Sequence, residues 1–167
     1  LATARDKVAK YFGHIPAGPT MAQPAVDVAP RARTTREVMQ DKVPQSRIYR
    51  AWNVPETGNT GLAHLQLAAY LLGGTRSSRL DARLLHGEQL VDDIGTAVRA
   101  SQLASNFYLV ATVKEGVEPE RVEAIIDEEI ARLAAEGPTA EELERARTAI
   151  RAGFIRGIER IGGFGGK

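Results

Sequence analysis

NTGLAHLQLAAYLLGGTRSSRLDARLLHGEQL, Asn59–Leu90, joins an almost wholly apolar run to a Gly-Gly break and a second run that opens at a Ser-Ser pair. Asn59 and Thr60 suit a helix N-cap, because their side-chain oxygens accept from an unsatisfied first-turn amide. Leu62, Leu65, Leu67, Ala68, Ala69, Leu71 and Leu72 surround that helix almost fully, which predicts burial over most of its circumference. Gly73 and Gly74 then stop it by allowing positive φ at little steric cost. Ser77 or Ser78 caps the next helix, which carries Leu80, Leu84 and Leu85. Two helices meeting at a sharp corner are the expected centre of the core.

Upstream, Ser46–Val54 alternates Ile48, Arg50, Trp52 and Val54 against Arg47, Tyr49, Ala51 and Asn53, the period of a strand, and Pro55 and Gly58 end it. Residues 13–44 carry Pro16, Pro19, Pro24, Pro30 and Pro44 with few large apolar residues. That composition neither continues a helix nor supplies a central strand, so an extended surface connector is expected. Val26, Val28 and Val38 could each lend a short edge strand. Before the connector, Val8, Tyr11 and Phe12 at helical spacing predict a short amphipathic helix that stops at Gly13.

Downstream, Val91–Ala100 and Phe107–Lys114 read as two antiparallel strands joined by a polar turn around Ser105 and Asn106. Pro119 suits a first helical turn, and Val122, Ile125, Ile126, Ile130 and Leu133 form one stripe of a helix ending at Gly137. Thr139 with Glu142 is a capping box that opens a long helix striped by Leu143, Ala146, Ile150, Phe154, Ile158 and Ile161. The order of elements predicts an α+β fold, a mixed and mainly antiparallel sheet with helices gathered on one face. A length of 167 residues fits one domain, 1–167, containing the connector 13–44.

Composition narrows the function. With 43% hydrophobic and 26% charged residues the chain is neither disordered nor fibrous. A net charge of +1 and 5% aromatics supply neither the basic face nor the stacking rings of a nucleic-acid binder. Without cysteine there is no disulfide, zinc ribbon or thiol chemistry. No apolar run is long enough to span a bilayer, and no signal-peptide pattern opens the chain. Starting at Leu1 and ending on GGFGGK, the chain reads as a fragment of a larger protein.

The three histidines, His14, His64 and His86, lie far apart in sequence. His64 is expected to be a hydrogen-bonded core histidine rather than a ligand, since zinc wants three convergent protein ligands. His86 and Glu88 stand at i and i+2, which face apart on a helix. Glu118, Glu120, Asp127, Glu128, Glu129 and Glu136 mostly flank the apolar stripe of their helix, and Glu141, Glu142 and Glu144 crowd a helix N-terminus that favours them. Asp92 and Asp93, adjacent on a strand, point to opposite faces and make no shared-proton dyad. The terminal GGFGGK lacks the first glycine of a phosphate loop, Ile161 standing in its place, and follows a helix rather than a strand. No residue of this chain is assigned a catalytic, cofactor-binding or metal-ligating role.

The segments YFGHIPAGP, RAWNVP, LLGGTRSSRL, GPTAEELERA and FIRGIERIGGFGGK, in this order, resemble the C-terminal domain of one half of a pitrilysin-type zinc metallopeptidase. Bacterial relatives of the mitochondrial processing peptidase are the nearest kin this resemblance suggests. It implies an inverzincin, whose H-x-x-E-H helix supplies two zinc ligands and the general base from a preceding domain. No H-x-x-E-H occurs here. The resemblance therefore implies a non-catalytic lobe, with zinc in the preceding domain and two halves closing around a peptide substrate. Its implied partners are the zinc-bearing domain, the second peptidase half and that peptide, with no nucleic acid and no membrane span.

Where such halves carry an Arg and a Tyr for substrate contact, this chain has Leu85 and Asp92, so the domain is expected to come from the zinc-bearing half. A strand usual before the first helix of the family domain is missing, which predicts an exposed sheet edge and self-association. A bacterial source is implied, with a periplasmic location favoured over a cytoplasmic one. A domain of a catalytically silent partner subunit and an unrelated α+β binding domain stay open as alternatives.

Overall fold

The computed structural model describes residues 2–22, 24 and 28–159. Val26, Ile161 and the GGFGGK terminus lie outside them. The elements run α1 (Ala2–Phe12), β1 (Arg47–Val54), α2 (Thr60–Gly73), a π-helix (Asp81–Gly87), β2 (Val91–Arg99), β3 (Ser105–Val113), α3 (Pro119–Glu136) and α4 (Ala140–Glu159). The three strands pair antiparallel in the order β1-β3-β2, so the last strand in sequence is the central one.

Alternation along the strands decides which face is covered. The odd-numbered residues of β3 from Ser105 to Val113 are all buried. Their partners on β1 are Val54, Trp52, Arg50 and Ile48, and on β2 they include Val98, Thr96 and Ile94. On this inner face Trp52 and Phe107 meet edge to face, with ring centroids 5.6 Å apart. The same core cluster takes Leu62, Ala69 and Leu72 from α2, Leu80 and Leu84 from the corner, and Val122, Ile125 and Ile126 from α3. The helices that build the core thus pack on one face of an antiparallel sheet, the α+β arrangement that the element order predicts. Complete burial of Leu80, Leu84, Leu109 and Ile126 contributes roughly 2–3 kcal/mol per side chain.

Arg50 falls between Ile48 and Trp52 on the inner face, where its charge needs a partner. Asp127 of α3 supplies it, and a second guanidinium nitrogen donates to Asp127 Oδ2 at 3.2 Å.

Several local expectations change. α2 is capped by Asn59, whose Oδ1 accepts from Gly61 N at 2.9 Å. It is not buried around its circumference, because Ala63, His64 and Gln66 are exposed. Positive φ is not what Gly74 supplies, since its φ is −89°. The pair is needed for close approach: a Cβ on Gly74 would lie 2.7 Å from Tyr70 Cα, and one on Gly73 would lie 3.1 Å from Thr96 Oγ1. Thr96 Oγ1 also donates to Ala69 O at 2.6 Å, so the last turn of α2 docks directly on β2.

Ser78 does not cap the next helix through its hydroxyl, which donates to Thr75 O at 2.6 Å. Ser105 and Asn106 are not the turn between β2 and β3: both belong to β3, paired with Val54 and Asn53 of β1. The turn is residues 100–104, and Ser105 Oγ accepts there from Ser101 N at 3.1 Å.

Described residues of the connector form no helix or strand, Val28 and Val38 included. The connector is tied down at Asn53 Nδ2, which donates to Ala29 O at 3.0 Å, and at Arg36, which pairs with Glu120 at 2.9 Å. α1 forms where its spacing predicts, but none of its residues is buried.

Candidate functional site

The corner between Gly73 and Leu90 is where side-chain chemistry concentrates. From Asp81 to Gly87 the chain winds as a π-helix, a wider turn that places Leu84 wholly in the core and leaves Leu85 partly buried against it. Glu88 N donates to Arg83 O at 2.7 Å and Leu90 N to Leu84 O at 2.8 Å. These bonds reverse the chain through Gln89, whose φ is +54°. A left-handed non-glycine residue is uncommon there, and glycine is the usual occupant of such a helix exit.

Two arginines fasten this corner to the last two helices. Arg79 Nε donates to Glu142 Oε1 at 2.7 Å, while Nη2 donates to Glu142 Oε2 at 2.8 Å and to Gly137 O at 3.0 Å. Gly137 has φ +72° and ends α3, so one guanidinium holds the α3–α4 turn and the first turn of α4 together. The hydrogen bond from Arg79, opposed by desolvation, holds the Glu142 carboxyl down at about 2. Glu142 also completes the expected capping box: its Oε2 accepts from Thr139 N at 2.8 Å, and Thr139 Oγ1 accepts from Glu142 N at 3.2 Å.

Arg83 reaches α3. It donates to Glu128 at 2.6 Å, to Glu129 at 3.1 Å and to Glu88 at 3.2 Å, and these carboxylates raise its pKa further above the ordinary arginine value. Glu129 is 1% exposed, with Arg132 also 2.7 Å away. It therefore does not flank the stripe of α3 but sits in it, neutralised by two arginines. Its spacing from Ile125 and Ile126, i+4 and i+3, is the signal that placed it there.

Ser78 and Asp81 form the third buried polar unit. Ser78 Oγ, already donating to Thr75 O, lies 2.6 Å from Asp81 Oδ2, and the two residues are 4% and 7% exposed. One hydroxyl proton does not serve both acceptors fully, and burial pushes the Asp81 carboxyl up, opposed by Ser78.

The histidines stay apart. His14 follows α1, His64 lies on α2 and His86 on the π-helix, and all three are exposed. His64 is accordingly not the core histidine expected from an all-buried helix. Asp92 is the extra residue of a β-bulge, since Val91 pairs with Val113 and Asp93 with Thr112. Both aspartates are exposed, and Gln45 donates to Asp92. The opposite-face argument fails for a bulged pair, although no dyad results.

Among the described residues no group of three His, Asp or Glu side chains could hold a metal ion, so the residues present do not fit a catalytic zinc. No helix of the described residues is long and apolar enough to cross a membrane. The site is an assembly of arginine–carboxylate pairs that fixes the corner against α3 and α4.

Solved structures share this architecture. A protease from Helicobacter pylori superposes with a TM-score of 0.74 at 21% identity over 95% of this chain and 39% of its own. A peptidase M16 inactive domain from Pseudomonas fluorescens gives 0.73 at 18% identity over 90% of this chain and 36% of its own. A conserved protein from Enterococcus faecalis gives 0.72 at 16% identity over 93% and 37%. Superpositions at such identities show the fold alone, and the chain spans less than two fifths of each of those proteins. No curated protein matches the chain. The sequence model of the family described as the peptidase M16 inactive domain matches residues 1–150, nine tenths of the chain, and the chain belongs to that family.

Proposed function

We propose that this domain is a non-catalytic lobe of a zinc-dependent endopeptidase, where it forms part of the wall of the chamber that receives peptide substrates. Zinc and the activation of water belong, in this reading, to a preceding domain, and the second half of the peptidase closes the chamber. The observation that carries the reading is membership of the inactive-domain family across residues 1–150.

One feature of the sheet supports the chamber role. The core helices cover its inner face, which leaves Tyr49 68% exposed and Tyr108 38% exposed on the outer one. Around the tyrosines stand Ala51, Ala97, Val110 and Gly95, small or apolar positions of the same face. Aromatic side chains such as these are enriched where protein surfaces make contacts.

The test is the double substitution Tyr49→Ser with Tyr108→Ser in the parent peptidase. The chamber reading expects KM for an unfolded peptide to rise about tenfold with kcat nearly unchanged, because binding common to ground and transition states is lost. Unchanged KM with an intact fold would contradict it. A catalytically silent partner subunit is distinguished upstream, where its reading frame lacks H-x-x-E-H. A periplasmic location is part of the proposal, and fractionation of the source cells checks it.

A further inference from the structure

We infer that the connector is a strap guarding the edge of β1, that Arg36 is its clasp, and that the partner it keeps away is β1 of a second copy of this chain. The strap is pinned beside both ends of β1. Asn53, near one end, donates to Ala29 O at 3.0 Å, and Gln45, which donates to Asp92, stands just before Arg47 at the other. Asn53 belongs to the outer face of the sheet, whereas Arg36 pairs with Glu120 and Glu123 of α3, on the inner side, at 2.9 and 3.4 Å. Arg50 Nη2 donates to Glu123 O at 3.4 Å, so the clasp closes level with the middle of β1. Between its pinned ends the strap therefore passes round the β1 side of the sheet.

The clasp is built to open. Residues 29–44 are all exposed, and among the described residues Arg36 alone of residues 30–44 makes a hydrogen bond or ion pair to the rest of the fold. The side chains of Arg36 and Glu120 are 54% and 61% exposed, so water and salt compete with their pairing.

The two edges of the sheet differ in what protects them. β2 carries the bulge at Asp92 and the exposed Asp93, and the end of α2 lies against it, where a Cβ on Gly73 would come within 3.2 Å of Thr96 N. β1 pairs with β3 over eight residues without a bulge, a proline or an acidic side chain. Such an edge is a template for another strand, and a covering loop is one way proteins block it. β1 is also complementary to itself. With Ala51 opposite Ala51 of the second copy in an antiparallel pair, Ile48 meets Val54, Tyr49 meets Asn53, and Arg50 meets the ring of Trp52, which is 38% exposed. Centring the pair on Arg50 instead would set arginine against arginine. The inference stands apart from the peptidase reading, since it uses only the connector, α3 and β1.

The experiment compares the chain with its Arg36→Glu variant by sedimentation velocity, while trypsin cleavage reports the strap. The new carboxylate faces Glu120 and Glu123, so cleavage at Arg31, Arg33 and Lys42 should run about fivefold faster than in the parent. Dimer should appear at about tenfold lower concentration, because both copies must be open to pair. Adding Glu120→Arg restores an ion pair and should return both readouts to those of the parent. Adding Ala51→Lys instead, at an exposed position, should abolish the dimer and keep the fast cleavage, with circular dichroism unchanged. Unchanged cleavage in Arg36→Glu overturns the clasp. Fast cleavage of a variant that stays monomeric overturns the guarded edge, and a dimer that survives Ala51→Lys overturns β1 of a second copy as the partner.

Discussion

The guanidinium of Arg79 and the carboxylate of Glu142 meet in two parallel hydrogen bonds of 2.7 and 2.8 Å, joining a corner residue to a helix 63 positions later in the chain. The side chains are 8% and 18% exposed, so the pair is mostly shielded from water. Because the Glu142 carboxyl is held down at about 2, its contribution to stability is fully present above the ordinary carboxylate pKa and is lost as pH falls through 2. A shift of this size corresponds to about 3 kcal/mol. Glu142→Gln should therefore cost roughly 2–3 kcal/mol at pH 7 and much less near pH 2, as read from urea unfolding across that range.

Asp81 behaves in the opposite sense. Burial raises its pKa, so its protonated form is favoured in the folded protein, and the stability it contributes is full below the unfolded pKa and lost as pH rises through the folded one. Asp81→Asn supplies a permanent donor to Ser78 Oγ. The variant should match the parent at low pH and become the more stable of the two as pH rises towards neutrality. A variant less stable than the parent at pH 7 would show that the carboxylate is held ionised.

Gln89 carries the φ of +54° that closes the π-helix. Gln89→Gly should stabilise the domain by about 1 kcal/mol, since a left-handed residue with a Cβ costs roughly that much. Thermal unfolding at constant pH checks it, with a rise in Tm expected and a fall contradicting the assignment.

Gly74→Ala should be the more damaging of the two corner substitutions. Its Cβ would sit 2.7 Å from backbone at Tyr70, whereas the Cβ of Gly73→Ala would meet the Thr96 hydroxyl at 3.1 Å and its amide nitrogen at 3.2 Å. Overpacking of this kind costs about 1–3 kcal/mol, with Gly74→Ala at the upper end. Denaturant midpoints of the two variants give the order.

These predictions rest on features of unequal legibility. The strands, the α3 stripe and the Thr139–Glu142 capping box follow from periods and spacings within a few residues, and they appear where those patterns put them. Glu129 was legible too, because it occupies a stripe position of α3; charge alone argued for the surface, and Arg83 and Arg132 outweigh it. The Arg79–Glu142 pair was not, since nothing local in either residue announces a partner so distant. Nor was the reason for Gly73 and Gly74: a glycine pair after a helix suggests positive φ, and only the approach of Thr96 and Tyr70 reveals the steric need. The π-helix and the bulge at Asp92 each insert a residue into a regular period, and a periodic reading is blind to such insertions.

Metal content of the purified domain tests the central claim most directly. Equilibrated with zinc, desalted and measured by mass spectrometry, the domain should retain no stoichiometric zinc and cleave no unfolded peptide. On the proposed function, adding a preceding H-x-x-E-H domain from the parent protein should bring zinc and cleavage together. Tight stoichiometric zinc on the domain alone, or cleavage without its partner, would contradict the reading of a non-catalytic lobe.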